Sequence, residues 1–182
     1  MTSYTSKIEA GSPFPSIVLP RLDGTQEDIS KPSGAADWHM VVVYRGRHCP
    51  MCTRYLNRLE GHVQALRDIG ISLSVVSGDS KSQLEQHMEK LEVSFPIAYG
   101  LTTAQMQSLG LYISHPRSEK ETDHPFAEPG LFVINDQGTV QVVDLSNNPF
   151  VRPELETLVS GLKWIRNPEN NYPIRGTFRD DR

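Results

Sequence analysis

Residues 41–60 read VVVYRGRHCPMCTRYLNRLE and hold both cysteines of the chain, Cys49 and Cys52, with two residues between them. Ahead of the pair, residues 39–44 form a near-continuous, valine-rich apolar run. That is the pattern of a central strand covered on both faces. Behind it, Cys52, Tyr55, Leu56, Leu59, Val63 and Leu66 recur at steps of three and four. This spacing predicts one helix, stopped by Gly70. The C-x-x-C motif therefore stands at a strand-to-helix junction. Cys49 falls at or beside the helix N-cap, and Pro50 suits the first helical position, where its missing N–H costs nothing.

The placement has an electrical consequence. Unpaired N–H groups and the positive end of the helix dipole favour a thiolate, and cysteines so placed have pKa values of roughly 3.5–7.5 against ~8.5 when free. Cys49 is the expected nucleophile. Cys52, one turn on and on the apolar face, is the expected buried partner that attacks a mixed disulfide or sulfenic acid formed on Cys49. Arg45, Arg47 and His48 crowd the same turn and add positive potential, which lowers the thiol pKa where their side chains face the sulfur. Solvated charges at a strand end are the plain alternative for these three.

Two other readings of the cysteines compete with redox chemistry. Free cysteine is among the most buried residue types, but a C-x-x-C at a strand-to-helix junction of an α/β pattern favours chemistry over packing. A structural zinc site usually needs four Cys or His ligands, and the chain has neither a second C-x-x-C nor an H-x₃₋₅-H. No metal and no cofactor is expected. His39, His62 and His87 sit on strand or helix faces and read as packing or surface histidines.

Working outward, residues 12–30 give two short extended pieces around a Leu-Asp-Gly-Thr turn, an N-terminal hairpin. Residues 71–78, ISLSVVSG, predict a second core strand, and Asp79 or Ser80 can cap a helix carrying Leu84, Met88 and Leu91. Residues 95–100 predict a third strand, and residues 102–110 a short helix capped by Thr102 or Thr103 and ended by Gly110. Residues 115–127, HPRSEKETDHPFA, form a long charged loop, either a lid or a solvated insertion. Residues 130–146 predict an antiparallel hairpin turning at Asp136-Gln137-Gly138. A last helix is expected from about Val151 to Asn167, with residues 168–182 as an irregular tail in which Tyr172-Pro173-Ile174 can dock. Strands joined by helices, then a hairpin closed by a helix, describe a mixed α/β sheet with helices on both faces.

The length of 182 residues suits a single domain over 1–182. A net charge of −4 lacks the basic surplus that nucleic-acid binding demands, so no nucleic-acid partner is expected. No apolar leader opens the sequence and no run of ~18 apolar residues occurs, so no membrane association is expected and the default compartment is the cytoplasm. In that reducing setting a lone cysteine pair is more suited to chemistry than to stapling.

The stretch VVVYRGRHCPMC resembles peroxiredoxin-like proteins of the alkyl hydroperoxide reductase and thiol-specific antioxidant (AhpC/TSA) family, in the thioredoxin-fold superfamily. Residues 11–30 resemble that family's N-terminal hairpin, and residues 128–144 its later strand pair. The resemblance implies a thioredoxin-like fold and an antioxidant thiol oxidoreductase that reduces hydroperoxides, with thioredoxin or glutathione as reductant. The family carries a Pro-x-x-x-Thr/Ser-x-x-Cys motif. Counting back from Cys49 puts Gly46 at its hydroxyl position and Val42 at its proline. An arginine that the family places before the later strand is Pro129 here, in Pro129-Gly130-Leu131-Phe132. Thioredoxins and glutaredoxins have a cis-proline at that point, where the preceding backbone pairs with a bound substrate, and Pro129 fits that role. Cys-Pro-Met-Cys likewise resembles the Cys-Pro-x-Cys of glutaredoxins. A disulfide reductase without efficient peroxidase activity is the alternative, and a noncatalytic redox sensor or binding module is the third. A homodimer is compatible with exposed apolar edges, though no feature demands one.

Overall fold

The computed structural model describes residues 6–180. The chain begins with a hairpin of β1 (Val18–Pro20) and β2 (Gln26–Asp28), enters the sheet through β3 (Trp38–Val43), and continues into α1 (Pro50–Glu60) and α2 (Val63–Asp68). Next come β4 (Ile71–Val76), α3 (Lys81–Met88), β5 (Ile97–Ala98) and α4 (Thr103–Ser108). A two-stranded pair, β6 (Ile113–Ser114) and β7 (Phe126–Ala127), precedes β8 (Gly130–Ile134), β9 (Val140–Leu145) and α5 (Leu155–Arg166). The central sheet has the order β5-β4-β3-β8-β9, parallel from β3 to β5 and antiparallel through β8 and β9. This is the mixed thioredoxin-like sheet that the sequence predicts, with its N-terminal hairpin extension.

β3 is buried at every position because both of its faces are covered. Met40, Val42 and Tyr44 pack with Leu56, Leu59, Leu66 and Leu162 from α1, α2 and α5. Val41 and Val43 pack on the other face with Ile17 and Ile29 of the N-terminal segment and Met106 of α4. Two cores thus share one sheet, and the end of β3 is held from both sides. Among the described residues no helix is long and apolar enough to cross a membrane.

Several boundaries differ from the sequence expectation, each for a local reason. The single helix expected up to Gly70 is two, since Gly61 and His62 donate to Arg58 and Leu59 in tighter i→i−3 bonds of 3.2 and 2.9 Å. The apolar stripe runs across this break, so periodicity hides it. The last helix starts at Leu155 rather than Val151, because Pro153 interrupts and Glu154 caps, accepting from the N–H groups of Glu156 and Thr157. Ser80 caps α3 in a reciprocal capping box with Gln83, which leaves Asp79 uncommitted to the helix. β5 is shortened to two residues behind Pro96. The turn between β8 and β9 holds as expected: Asn135 Oδ1 accepts from Gln137 and Thr139 N–H, and Gly138 takes φ 74°. In the tail, residues 168–170 form a 3₁₀ turn and Tyr172 stands edge-on to Trp164 at 5.0 Å.

At the starts of β3 and β4, His39 is clamped between Ser72 and Ser74 at 2.7 and 2.8 Å. Ser74 donates onward to Glu27, which also accepts from Arg21 at 2.7 Å. Burial pulls the His39 pKa to about 4, so the ring is neutral at pH 7. It is a packing histidine that ties the hairpin to the sheet.

Candidate active site

β3 hands over to α1 through the turn Arg45-Gly46-Arg47-His48, closed by the Cys49 N–H donating to Gly46 O at 3.2 Å. Cys49 is the N-cap of α1, in extended conformation, and its sulfur accepts the Cys52 N–H at 3.4 Å. Pro50 opens the helix without losing a hydrogen bond. Both thiols are free, with Cys49 2% exposed and Cys52 fully enclosed. The Cys49 pKa is drawn down to about 5, first by the hydrogen bond from the Cys52 thiol and then, against burial, by the Cys52 N–H and Arg45. Burial and the neighbouring sulfur push the Cys52 thiol in the opposite direction. One cysteine is poised as a thiolate and its partner as a protonated thiol.

Arg45 is fixed from the far side of the site. Its Nε lies 3.1 Å from Glu128 Oε2, an Nη lies 4.0 Å from Glu121 Oε1, and the guanidinium sits 4.7 Å from the Phe126 ring centroid. Glu121 comes from the long charged loop, Phe126 from β7 and Glu128 from just after it, and the pairing of β7 with β6 pins that loop across the turn. Arg47 is exposed, and its backbone N–H donates to Asp79 Oδ2 at 2.7 Å. His48 departs from the expected role. Its ring packs on Phe126 at 4.5 Å, and burial followed by the Arg45 charge pulls its pKa to about 4, so it adds no positive potential near neutral pH.

Pro129 also departs from the expectation. Every peptide bond among the described residues is trans, that before Pro129 included. The backbone expected to receive a substrate is already paired, with Glu128 N–H donating to Tyr112 O at 2.8 Å and Pro129 O accepting from Ser146 at 3.0 Å. Pro129 is a buried proline at the start of β8.

Sequence reasoning passed over the residues behind the turn. Asp79 is fully buried, with Oδ2 held by Arg47 and Oδ1 unpartnered. Burial raises its carboxyl pKa. Gly46, at φ 135°, is required here: a Cβ would stand 2.5 Å from Asp79 Oδ1 and 3.1 Å from His48 Nδ1. A carboxyl group thus crowds the space beside the position where the family motif carries its hydroxyl residue. His87, read as a packing or surface residue, bonds Thr53 Oγ1 at 2.8 Å and lies 5.6 Å from the Tyr44 ring. His124 Nε2 lies 3.8 Å from Asp79 Oδ1.

Buried polar atoms are nearly always hydrogen-bonded, so exceptions are informative. Among the described residues the unpartnered ones include Tyr44 Oη, both His48 nitrogens, Asp79 Oδ1, His87 Nδ1 and His124 Nε2. They sit on the turn itself or on residues within one or two contacts of it. An open cleft of about 860 Å³, walled by Arg47, His48, Pro50 and residues of the charged loop, leads up to this turn. A separate cavity of about 490 Å³ lies at the opposite end of the sheet, beside Gly70 to Leu73, away from both thiols.

The dithiol stands at the N-terminus of α1 on a thioredoxin-like fold, with one thiol pKa lowered and the other raised. The AhpC/TSA family model matches residues 10–143, and the chain belongs to that family, as a thiol-redox oxidoreductase. Among solved structures it is similar to a peroxiredoxin-like protein from Aquifex aeolicus, at 16% identity and TM-score 0.71, covering 88% of this chain and 89% of that one. It is also similar to Mycobacterium bovis AhpC, at 14% identity and TM-score 0.70, covering 96% and 99%. A cysteine-to-serine mutant of Arenicola marina peroxiredoxin 6 aligns at 16% identity and TM-score 0.73, covering 89% and 75%. Identities this low speak for the shared fold. Comparison with curated proteins gives no match.

Proposed function

We propose that this chain reduces hydroperoxides through Cys49, with Cys52 as the resolving thiol and a thioredoxin- or glutathione-type thiol as the electron donor. The Cys49 thiolate attacks the terminal peroxide oxygen, an S–O bond forms, the O–O bond breaks, and the departing alkoxide takes up a proton to leave as an alcohol. Cys52 then attacks the Cys49 sulfenic acid, forming the disulfide and releasing water. Two electrons and two protons from the external thiols restore the pair. The observation that carries this reading is the division between the two sulfurs: Cys49 accepts the Cys52 N–H at the helix cap, while Cys52 is wholly enclosed. Both thiols are buried, but burial holds Cys52 protonated, which suits resolution, while the Cys49 pKa is drawn down to about 5, which suits first attack.

The test supplies purified protein with hydrogen peroxide, an organic hydroperoxide and a low-molecular-weight disulfide in parallel, each coupled to thioredoxin and glutathione systems. Peroxide turnover is expected to exceed disulfide turnover, and Cys49→Ser is expected to lower it by on the order of 10³-fold or more. Undiminished turnover in Cys49→Ser would sink the proposal. We further propose a cytoplasmic, single-domain protein, a placement that the finding of this chain in a membrane or secreted cell fraction would contradict.

A further inference from the structure

Opening a peroxide bond with a thiolate leaves an alkoxide or hydroxide that must gain a proton, and the attacking sulfur has none to give. A proton source near the turn is therefore a chemical requirement of the reaction proposed above. Two buried carboxyl groups reach that turn: Glu128, ion-paired with the Arg45 guanidinium, and Asp79, whose Oδ1 has no hydrogen-bond partner. Asp79 is fully enclosed; its Oδ2 is fixed by the Arg47 N–H at 2.7 Å, which fastens the carboxyl to the turn carrying Cys49. Its Oδ1 has no hydrogen-bond partner and faces the side of Gly46 from which any side chain is missing, 2.5 Å from where a Cβ would be.

A route to solvent continues from that oxygen. His124 Nε2, also buried and unpartnered, lies 3.8 Å from Asp79 Oδ1, and the opposite ring nitrogen, Nδ1, contacts Asp123 Oδ1 at 2.8 Å and Thr122 Oγ1 at 3.2 Å. Asp123 is exposed and is steadied by Gln83, whose Nε2 donates to Oδ1 at 2.8 Å. The imidazole thus connects a surface carboxylate to an enclosed one. We propose that Asp79 and His124 form a proton relay for the leaving oxygen: the Asp79 carboxyl gives a proton as the O–O bond breaks, and the resulting carboxylate is reprotonated from solvent through His124. The proposal rests on the peroxide reading above. No electrons move in the relay, since the two-electron exchange is between Cys49 and the peroxide.

The surroundings shift the carboxyl toward its protonated form. Burial raises the Asp79 pKa, opposed by the Arg47 N–H, by His124 and Arg47, and by Ser77. Tyr44 from the end of β3 and neutral His48 from the turn are further titratable groups near it. Arg47 bears the permanent positive charge in that set, and its side chain is exposed.

The test compares two reactions of the same thiolate in the full chain: oxidation by an organic hydroperoxide under rapid mixing, and alkylation by iodoacetamide, which expels iodide and needs no proton. Asp79→Asn is expected to slow oxidation by ~10²-fold and His124→Gln by about 10-fold, with alkylation within about twofold of the parent. The parent oxidation rate is also expected to fall as the pH rises through the pKa of this carboxyl, a limb that Asp79→Asn removes and alkylation lacks. Oxidation and alkylation falling together, or oxidation unchanged, would overturn the relay. If Asp79→Asn fails to fold, His124→Gln, next in the chain to the cleft-lining Asp123, decides alone. A parent protein that alkylates yet resists the hydroperoxide would overturn the peroxide reading itself, and the relay with it.

Discussion

The two ends of strands β3 and β4 use the same kinds of residue to opposite purposes. At their starts, His39, Ser72, Ser74, Glu27 and Arg21 form a chain in which both imidazole nitrogens are bonded and the carboxylate has two partners. At their ends, Tyr44, His48, Asp79, His87 and His124 each keep a buried polar atom unpartnered around the cysteine turn. A satisfied network adds stability and fixes the fold, whereas unsatisfied buried atoms cost stability unless a ligand or a reaction uses them. Burial of polar side chains therefore does not separate structure from function in this molecule. The state of their hydrogen bonds does.

The sharpest way to break that comparison is to make one substitution at both ends. His39→Phe removes a ring bonded on both sides and orphans the serine hydroxyls, and it is expected to cost about 2–3 kcal/mol in urea unfolding with no effect on the Cys49 alkylation rate. His48→Phe removes two unpartnered nitrogens and keeps the contact with Phe126. Stability is expected to stay level or rise by about 1 kcal/mol. Equal losses at both ends would erase the distinction.

Next in size is the charge beside the sulfur. Arg45→Met is expected to raise the Cys49 pKa by about one or more, which slows alkylation by about fivefold or more at a pH near the parent value. The pH dependence of alkylation measures this directly, with a parent midpoint of about 5. An unchanged midpoint would mean that the helix terminus and the Cys52 hydrogen bond account for the thiolate by themselves.

The smallest effect is a slope with pH. Burial lowers His39, His48 and His87 from 6.5 to about 4, so between those values the unfolded chain binds protons that the folded chain refuses. Their contribution is fully present above the unfolded pKa and is lost as the pH falls from about 6.5 to 4. The Tm is expected to drop across this window, and His39→Phe is expected to flatten the drop. A Tm that rises on acidification would contradict the neutral state of these rings.

How much of this was legible in the sequence depends on what each residue depends on. The C-x-x-C at the strand-to-helix junction, the hairpin at Gly138 and the parallel order of the first core strands follow from local pattern, and the structure has them. Helix breaks at Gly61 and before Leu155 are also local, but the apolar periodicity masks them. Asp79 is different. Its sequence context, Ser-Gly-Asp-Ser, reads as a helix cap, and only the pairing of β3 with β4 brings it to the cysteine turn. Glu121, His124 and Phe126 belong to a charged loop whose length marks it as noteworthy, with Glu128 directly after it, while its partners are set by the β6–β7 pairing. Arg45 is legible because it lies only four residues before Cys49 in the sequence. The expected charge on His48 was not realised, because burial against Phe126 is a tertiary fact.

The most direct measurement treats reduced protein with one equivalent of an organic hydroperoxide, blocks remaining thiols, and locates the oxidised sulfurs by peptide mass spectrometry. The account expects a Cys49–Cys52 disulfide in the parent chain and, in Cys52→Ser, a sulfenic acid on Cys49 that a 1,3-dione traps. A Cys49 that remains fully alkylatable after treatment, or oxidation that begins on Cys52, would contradict it.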